Sequence, residues 1–174
     1  MLKIMFITAT LCVAPLDRGA RAEDPKEGAP SKKVTFKAPK EWEALGPDKT
    51  GIVTARFQTG EAASAVTVTL VELAGEGGGL GANVNRWRTQ VGLESLAEKE
   101  VLKAPDPIKV DGATAHRLDV TGPAVGDKPA PRIIAVVVKS GDATWFIKMN
   151  GSAGAVDKQK AAFDEFVKSI RFEK

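Results

Sequence analysis

The residues best suited to chemistry lie between Gly75 and Gly92, GEGGGLGANVNRWRTQVG, where a glycine-rich loop runs into an amphipathic stretch. The backbone N–H groups of Gly77, Gly78 and Gly79, together with the positive end of a following helix, form the kind of donor set that holds a phosphate, sulfate or carboxylate. Asn83, Asn85, Arg86 and Arg88 complete this candidate binding set. The spacing fits neither the dinucleotide fingerprint, which needs a G-x-G-x-x-G register, nor the phosphate loop, which ends in Gly-Lys-Ser/Thr. Glycine is also required where a chain turns sharply out of a strand to cross a sheet. The loop therefore reads either as an anion cradle or as a strand-to-helix crossover.

Other chemistry has less to work with. His116 is the single histidine, and in ATAHRLDVTG it shares a face with Leu118 and Val120, the pattern of a structural residue. No nucleophile is paired with it by any motif, so no catalytic residue is assigned and the chain reads as a non-enzyme. Cys12 is the single cysteine, so a metal site in the mature chain would have to be all oxygen. Asp106, Asp111, Asp119 and Asp127 are scattered and match no calcium-loop spacing. No metal and no cofactor are expected.

The loop needs a strand before it and a helix after it, and the flanking residues supply both. SAVTVTLVEL alternates Val66, Val68 and Leu70 against Thr67, Thr69 and Val71, while GIVTARFQTG alternates Val53, Ala55 and Phe57 against Thr54 and Arg56. Two such runs joined by a turn read as antiparallel neighbours. Leu80, Val84, Trp87 and Val91 recur at helical spacing, so Trp87 belongs to a buried stripe. Asn83 is expected as the N-cap and Gly92 as the C-terminal stop. Asn85 then reads as an exposed residue or a loop clamp, and Arg86 and Arg88 project from opposite sides, so that only one turns towards the loop.

After a polar connection three further strands follow, in ATAHRLDVTG, RIIAVVVKS and ATWFIKMNG, the last two forming a hairpin through Ser140-Gly141-Asp142. IIAVVV does not alternate, which requires cover on both faces of the sheet. The helix around Asn83 would cover one face, and a C-terminal helix carrying Phe163, Phe166, Val167 and Ile170 the other. The expected fold class is α+β, a mostly antiparallel sheet sandwiched between helices. VTFKAP before Pro39 reads as an early strand, Trp42 as an anchor, RFEK as a short edge strand and residues 122–131 as an exposed loop.

The N-terminus bounds the setting. Lys3, an apolar run to Leu16 and Ala20-Arg21-Ala22 are in the order of a secretory signal peptide, with a core shorter than the roughly 20 residues of a membrane span. The expected division is a signal peptide over 1–22, a flexible Gly/Pro-rich leader over 23–32 and a single sandwich domain over 33–174. Leu11 before Cys12 stands where a lipobox needs a small residue, which argues against a lipid anchor. Removing residues 1–22 takes away Lys3, Arg18, Arg21 and Asp17, so the net charge falls from +3 to +1, with 22 basic and 21 acidic residues left of 25 and 22. Signs so balanced give no electrostatic case for nucleic acid. The expected localisation is periplasmic or secreted, with no transmembrane segment in the mature chain.

The order of elements, with Trp42, the GGGLGANVNRW stretch and Phe163, Phe166, Ser169, Ile170 and Phe172, resembles the PsbP-like (Mog-type) α/β/α sandwich. GGGLGANVNRWRTQVG in particular resembles a motif of small exported bacterial proteins of that fold. The resemblance implies an extracytoplasmic sandwich in a superfamily populated largely by assembly factors and binding modules. Fold alone does not carry function. Two functions stay open at this point. One is a non-catalytic exported module that binds an envelope or extracellular protein or assists an envelope assembly, and the other is a small-anion or small-molecule binder using Gly75 to Gly81.

Overall fold

The computed structural model describes residues 34–46, 48–61 and 64–173. The expected signal peptide and leader, with Cys12, lie outside the described residues. Seven strands form one antiparallel sheet: β2 (Glu43–Ala44), β3 (Val53–Thr59), β4 (Val66–Ala74), β5 (Asp106–Val110), β6 (Ala113–Thr121), β7 (Pro131–Ser140) and β8 (Ala143–Ser152). Their order is β2-β3-β4-β8-β7-β6-β5. The hairpin β3–β4 and the meander β5 to β8 are thus two halves joined where β8 returns to pair with β4. A separate two-stranded clasp pairs β1 (Val34–Thr35) with β9 (Arg171–Phe172).

Residue pattern explains the layers. Ile133 to Val138 are all buried, and they alternate between two cores: Ile134, Val136 and Val138 face one, Ile133, Ala135 and Val137 the other. The first core lies under α3 (Ala153–Ser169), whose Val156, Phe163, Phe166 and Val167 pack on Val66, Val68, Leu70, Ile147 and Met149. Phe36, Trp42, Phe57 and Phe166 form an aromatic cluster at its margin, with Phe36 and Phe166 centroids 5.4 Å apart and Trp42 and Phe57 5.8 Å apart. Trp42 is the anchor its type suggested, and its Nε1–H donates to Gln159 Oε1 at 3.1 Å.

The second core lies under α1 (Leu80–Gln90) and the short α2 (Glu98–Val101). Val84, Trp87 and Val91 form the expected stripe and meet Leu118, Ile133, Ala135, Val137 and Phe146. Gly92, at φ 82°, ends the helix as expected. The end of α1 sits so close to β6 that a Cβ on Gly122 would lie 1.6 Å from the Val91 carbonyl oxygen.

Three expectations need correction. β5 and α2 fall in what the pattern presented as a polar connection. Pro107 and the exposed Asp106 and Lys109 hide the strand's period, and Asp111-Gly112, at φ 48° and 79°, make the tight turn into β6. The RFEK strand closes on β1 and not on the main sheet. Finally, α1 does not cover its whole face: its core partners come from β6, β7, β8 and the Val71 and Leu73 end of β4, whereas β3 and the Thr67 and Thr69 positions of β4 lie beyond it.

Candidate functional site

The glycine loop is built as a crossover. Gly75, Gly77, Gly78 and Gly79 all have positive φ. A Cβ on Gly77 would lie 2.6 Å from the Phe146 ring, so the chain crosses directly over that aromatic. Two loop donors are used internally, Gly75 N–H to the Asp142 carbonyl at 2.7 Å and Gly79 N–H to the Glu76 carbonyl at 2.9 Å. The Thr144 hydroxyl donates to the Gly75 carbonyl at 2.6 Å, which ties the loop to the β7–β8 hairpin. Glu76, within the loop itself, pairs with Lys139 and sets a carboxylate beside any incoming anion.

Asn83 is not the N-cap. The cap position is Gly79, at φ 81° and ψ 149°, and Asn83 stands inside the first turn, 2% exposed. Its Nδ2 donates to the carbonyls of Gly77 at 3.0 Å and Gly79 at 2.7 Å, lashing the loop from within the helix. Its Oδ1 accepts from the Arg86 guanidinium. The apolar stripe begins at Leu80, which sets the start of the helix ahead of the residue whose type favours caps.

Asn85 and Arg88 serve the segment after the helix. Asn85 Nδ2 donates to the Leu96 carbonyl at 3.0 Å while its Oδ1 accepts from Leu96 N–H at 2.8 Å, the loop-clamp alternative. Arg88 Nε donates to the Glu94 carbonyl at 3.0 Å. Of the two arginines, Arg86 alone turns back towards the loop's lashing residue. The seven candidate residues thus divide into a crossover (Gly77, Gly78, Gly79, Asn83), a clamp (Asn85, Arg88) and one exposed guanidinium, Arg86, near enough to β8 for its charge to act on Lys148.

What lies near Arg86 was not singled out from sequence. Residues paired across antiparallel strands share a face, and register places Arg56, Thr69, Lys148, Ala135 and Leu118 in one row across the sheet. The next row is Gln58, Thr67, Asn150, Ile133 and Val120. Each row is apolar where it belongs to the α1 core and polar on β3 and β4. Lys148 stands on the border, half-buried, and its burial together with the Arg86 charge holds its ammonium below the ordinary lysine value. The Arg56 Nε is buried with no hydrogen-bond partner, as is Nη2 of Arg117 on the opposite face. Among the described residues, no carboxylate forms an ion pair with Arg56, Arg86 or Lys148. Glu43, paired in register with Gln58, marks the outer edge of this face. A cleft of about 200 Å³ adjoins the rows, lined by Gln90, Val91, Ile133, Lys148 and Asn150 among others.

The arginines of the opposite face contrast with these three. Arg132 takes Asp119 in a two-pronged contact at 2.7 and 2.8 Å and also meets Asp157, and Arg117 meets Asp164. Half-buried His116 pairs in register with Pro107 and Val137, and no group of three or more His, Cys, Asp or Glu side chains suited to a metal occurs among the described residues. No helix among them is long and apolar enough to cross a membrane.

Solved structures share this architecture. LpqN of Mycobacterium tuberculosis, described as involved in cell envelope biogenesis, superposes with a TM-score of 0.53 at 12% identity over 81% of this chain and 83% of its own. Cyanobacterial PsbP (CyanoP) of Synechocystis superposes with a TM-score of 0.50 at 14% identity over 87% of this chain and 98% of its own. The fold is PsbP-like. A protein of Bacteroides thetaiotaomicron matches with a TM-score of 0.51 at 8% identity over 84% of this chain, which spans about half, 47%, of that longer chain. No protein-family model and no curated protein matches at the level of sequence.

Proposed function

We propose that this PsbP-like chain is an exported, non-catalytic binding module that engages a component of the cell envelope, and that it does so through the open polar half of the sheet beside α1. The observation that carries this reading is the half-buried row of Arg56, Thr69 and Lys148, whose charges lack carboxylate partners among the described residues while Arg117 and Arg132 are paired. The role of LpqN in envelope biogenesis and the signal-peptide order of residues 1–22 favour an envelope setting. The Gly77 to Gly79 loop acts in this reading as the support that fixes Arg86 near Lys148.

Two measurements test it. Sequencing the N-terminus of the protein recovered from the extracytoplasmic fraction is expected to give Glu23, and an intact chain retained in the cytoplasm would overturn export. A photo-reactive residue at Thr69, introduced in the native host, is expected to cross-link an envelope component that the same probe at Lys158 on α3 does not capture. Identical products from both positions, or none from Thr69, would overturn the binding face.

A further inference from the structure

The binding face has a chemical preference. We infer that Arg56, Lys148 and Arg86, over a floor of Thr67 and Thr69, form a site for an oxyanionic group, a phosphate or carboxylate, of the bound ligand. The inference rests on the proposed binding face and names the chemistry that the face would recognise.

Geometry supports it from three directions. Arg56 and Lys148 flank Thr69 on the same face, so their Cα atoms stand two strand spacings apart, about 10 Å. Side chains of this length rising from such positions reach a common point above the threonine. Thr67 occupies the adjacent same-face position on β4, and its hydroxyl, like that of Thr69, can donate to an oxygen held there. Arg86 approaches from α1, held by Asn83, close enough for its charge to act on Lys148. The cations thus arrive from three separate elements.

Energetics support it independently. Setting Lys148 half-buried beside a guanidinium costs stability twice, through desolvation and through like-charge repulsion. The buried, unpartnered Arg56 Nε adds a further unsatisfied donor. A bound oxyanion would offset the like-charge repulsion between Lys148 and Arg86, since charge-assisted hydrogen bonds to guanidinium and ammonium groups are the strong ones. The glycine loop has a different character, with the Gly75 and Gly79 donors engaged and Glu76 in place.

Nuclear magnetic resonance titration of the mature chain tests the site, with inorganic phosphate and, separately, acetate as probes at constant ionic strength. Saturable shifts at the backbone amides of Thr67, Thr69 and Lys148 are expected with at least one probe. Whichever binds more tightly identifies the group as phosphate or carboxylate. Arg56→Gln and Lys148→Gln are each expected to weaken binding at least tenfold, while Lys148→Gln raises the melting temperature of the probe-free protein. Shifts centred on Gly77 to Gly79, shifts unchanged in both variants, or no saturable shift with either probe would overturn the inference. Cross-linking from Thr69 that persists without any anion response would leave the binding face standing and remove only its preference for negative charge.

Discussion

The two faces of the sheet are built from the same strands and put to different use. Under α3, Val66, Val68, Leu70, Ile134, Val136, Ile147 and Met149 form an unbroken apolar floor from β4 to β7. On the other face, the alternate positions of β4 and β8 are polar at one end, Thr67, Thr69, Lys148 and Asn150, and apolar only towards the other, at Val71, Leu73 and Phe146, where α1 packs. A core needs continuity, whereas a surface left half-covered retains polar groups in positions that packing fixes but does not fill. The difference separates what holds this fold from what is available to a ligand.

Substitutions can break that contrast or sharpen it. The largest effect is expected at Phe163, fully buried under α3. Phe163→Ala is expected to cost about 3–5 kcal/mol in chemical denaturation, whereas Thr69→Ala on the open face stays within about 0.5 kcal/mol. Similar losses at both positions would mean that the polar rows are structural. Next is Asn83→Ala, which leaves the Gly77 and Gly79 carbonyls without their amide donor and releases Arg86. It is expected to cost about 1–3 kcal/mol and to weaken anion binding without touching the sheet.

Lys148→Met has the opposite sign. Removing a half-buried cation held beside Arg86 is expected to stabilise the protein, read as a higher midpoint of chemical denaturation. Because the folded-state value is depressed, the unfolded chain holds this proton more firmly, and stability rises with pH. The cost of the charge is complete at neutral pH and fades as pH climbs through the folded-state value towards the ordinary 10.5. The gain from Lys148→Met should therefore shrink in alkaline melts.

The smallest effect is expected on the α3 side. Burial works against ionisation of Asp119, but the hydrogen bonds and charge of Arg132, with those of Lys160, outweigh it and hold the carboxyl below 3.8. Its contribution is present above that value and lost as pH falls through the folded-state pKa. Asp119→Asn is expected to flatten the acid limb of the stability profile slightly. An unchanged limb would show Arg132 to be no better compensated than Arg56.

Sequence patterning revealed most of the architecture, because apolar periods in β3, β4, β7, β8, α1 and α3 are local signals. β5 escaped because Pro107 and exposed flanks break its period, and α2 because four residues carry too little pattern. Asn83 was misplaced at the cap because residue type favours that role, while its actual partners follow from the path of the loop. The polar rows were least legible. Arg56, Thr67 and Thr69 look like an ordinary solvated face until β8 is known to lie beside β4, which brings Lys148 to Thr69 from a distant part of the chain.

The clasp between β1 and β9 has a consequence for synthesis. Lys37 N–H donates to Ser169 Oγ, 132 positions later, and Val34 waits for Phe172. A polypeptide that emerges amino end first therefore holds Phe36, Trp42 and Phe57 uncovered until Phe166 arrives to close the aromatic cluster. Ribosomal stalling or carboxy-terminal clipping before that residue leaves three rings bare, the kind of surface that chaperones and quality-control proteases recognise.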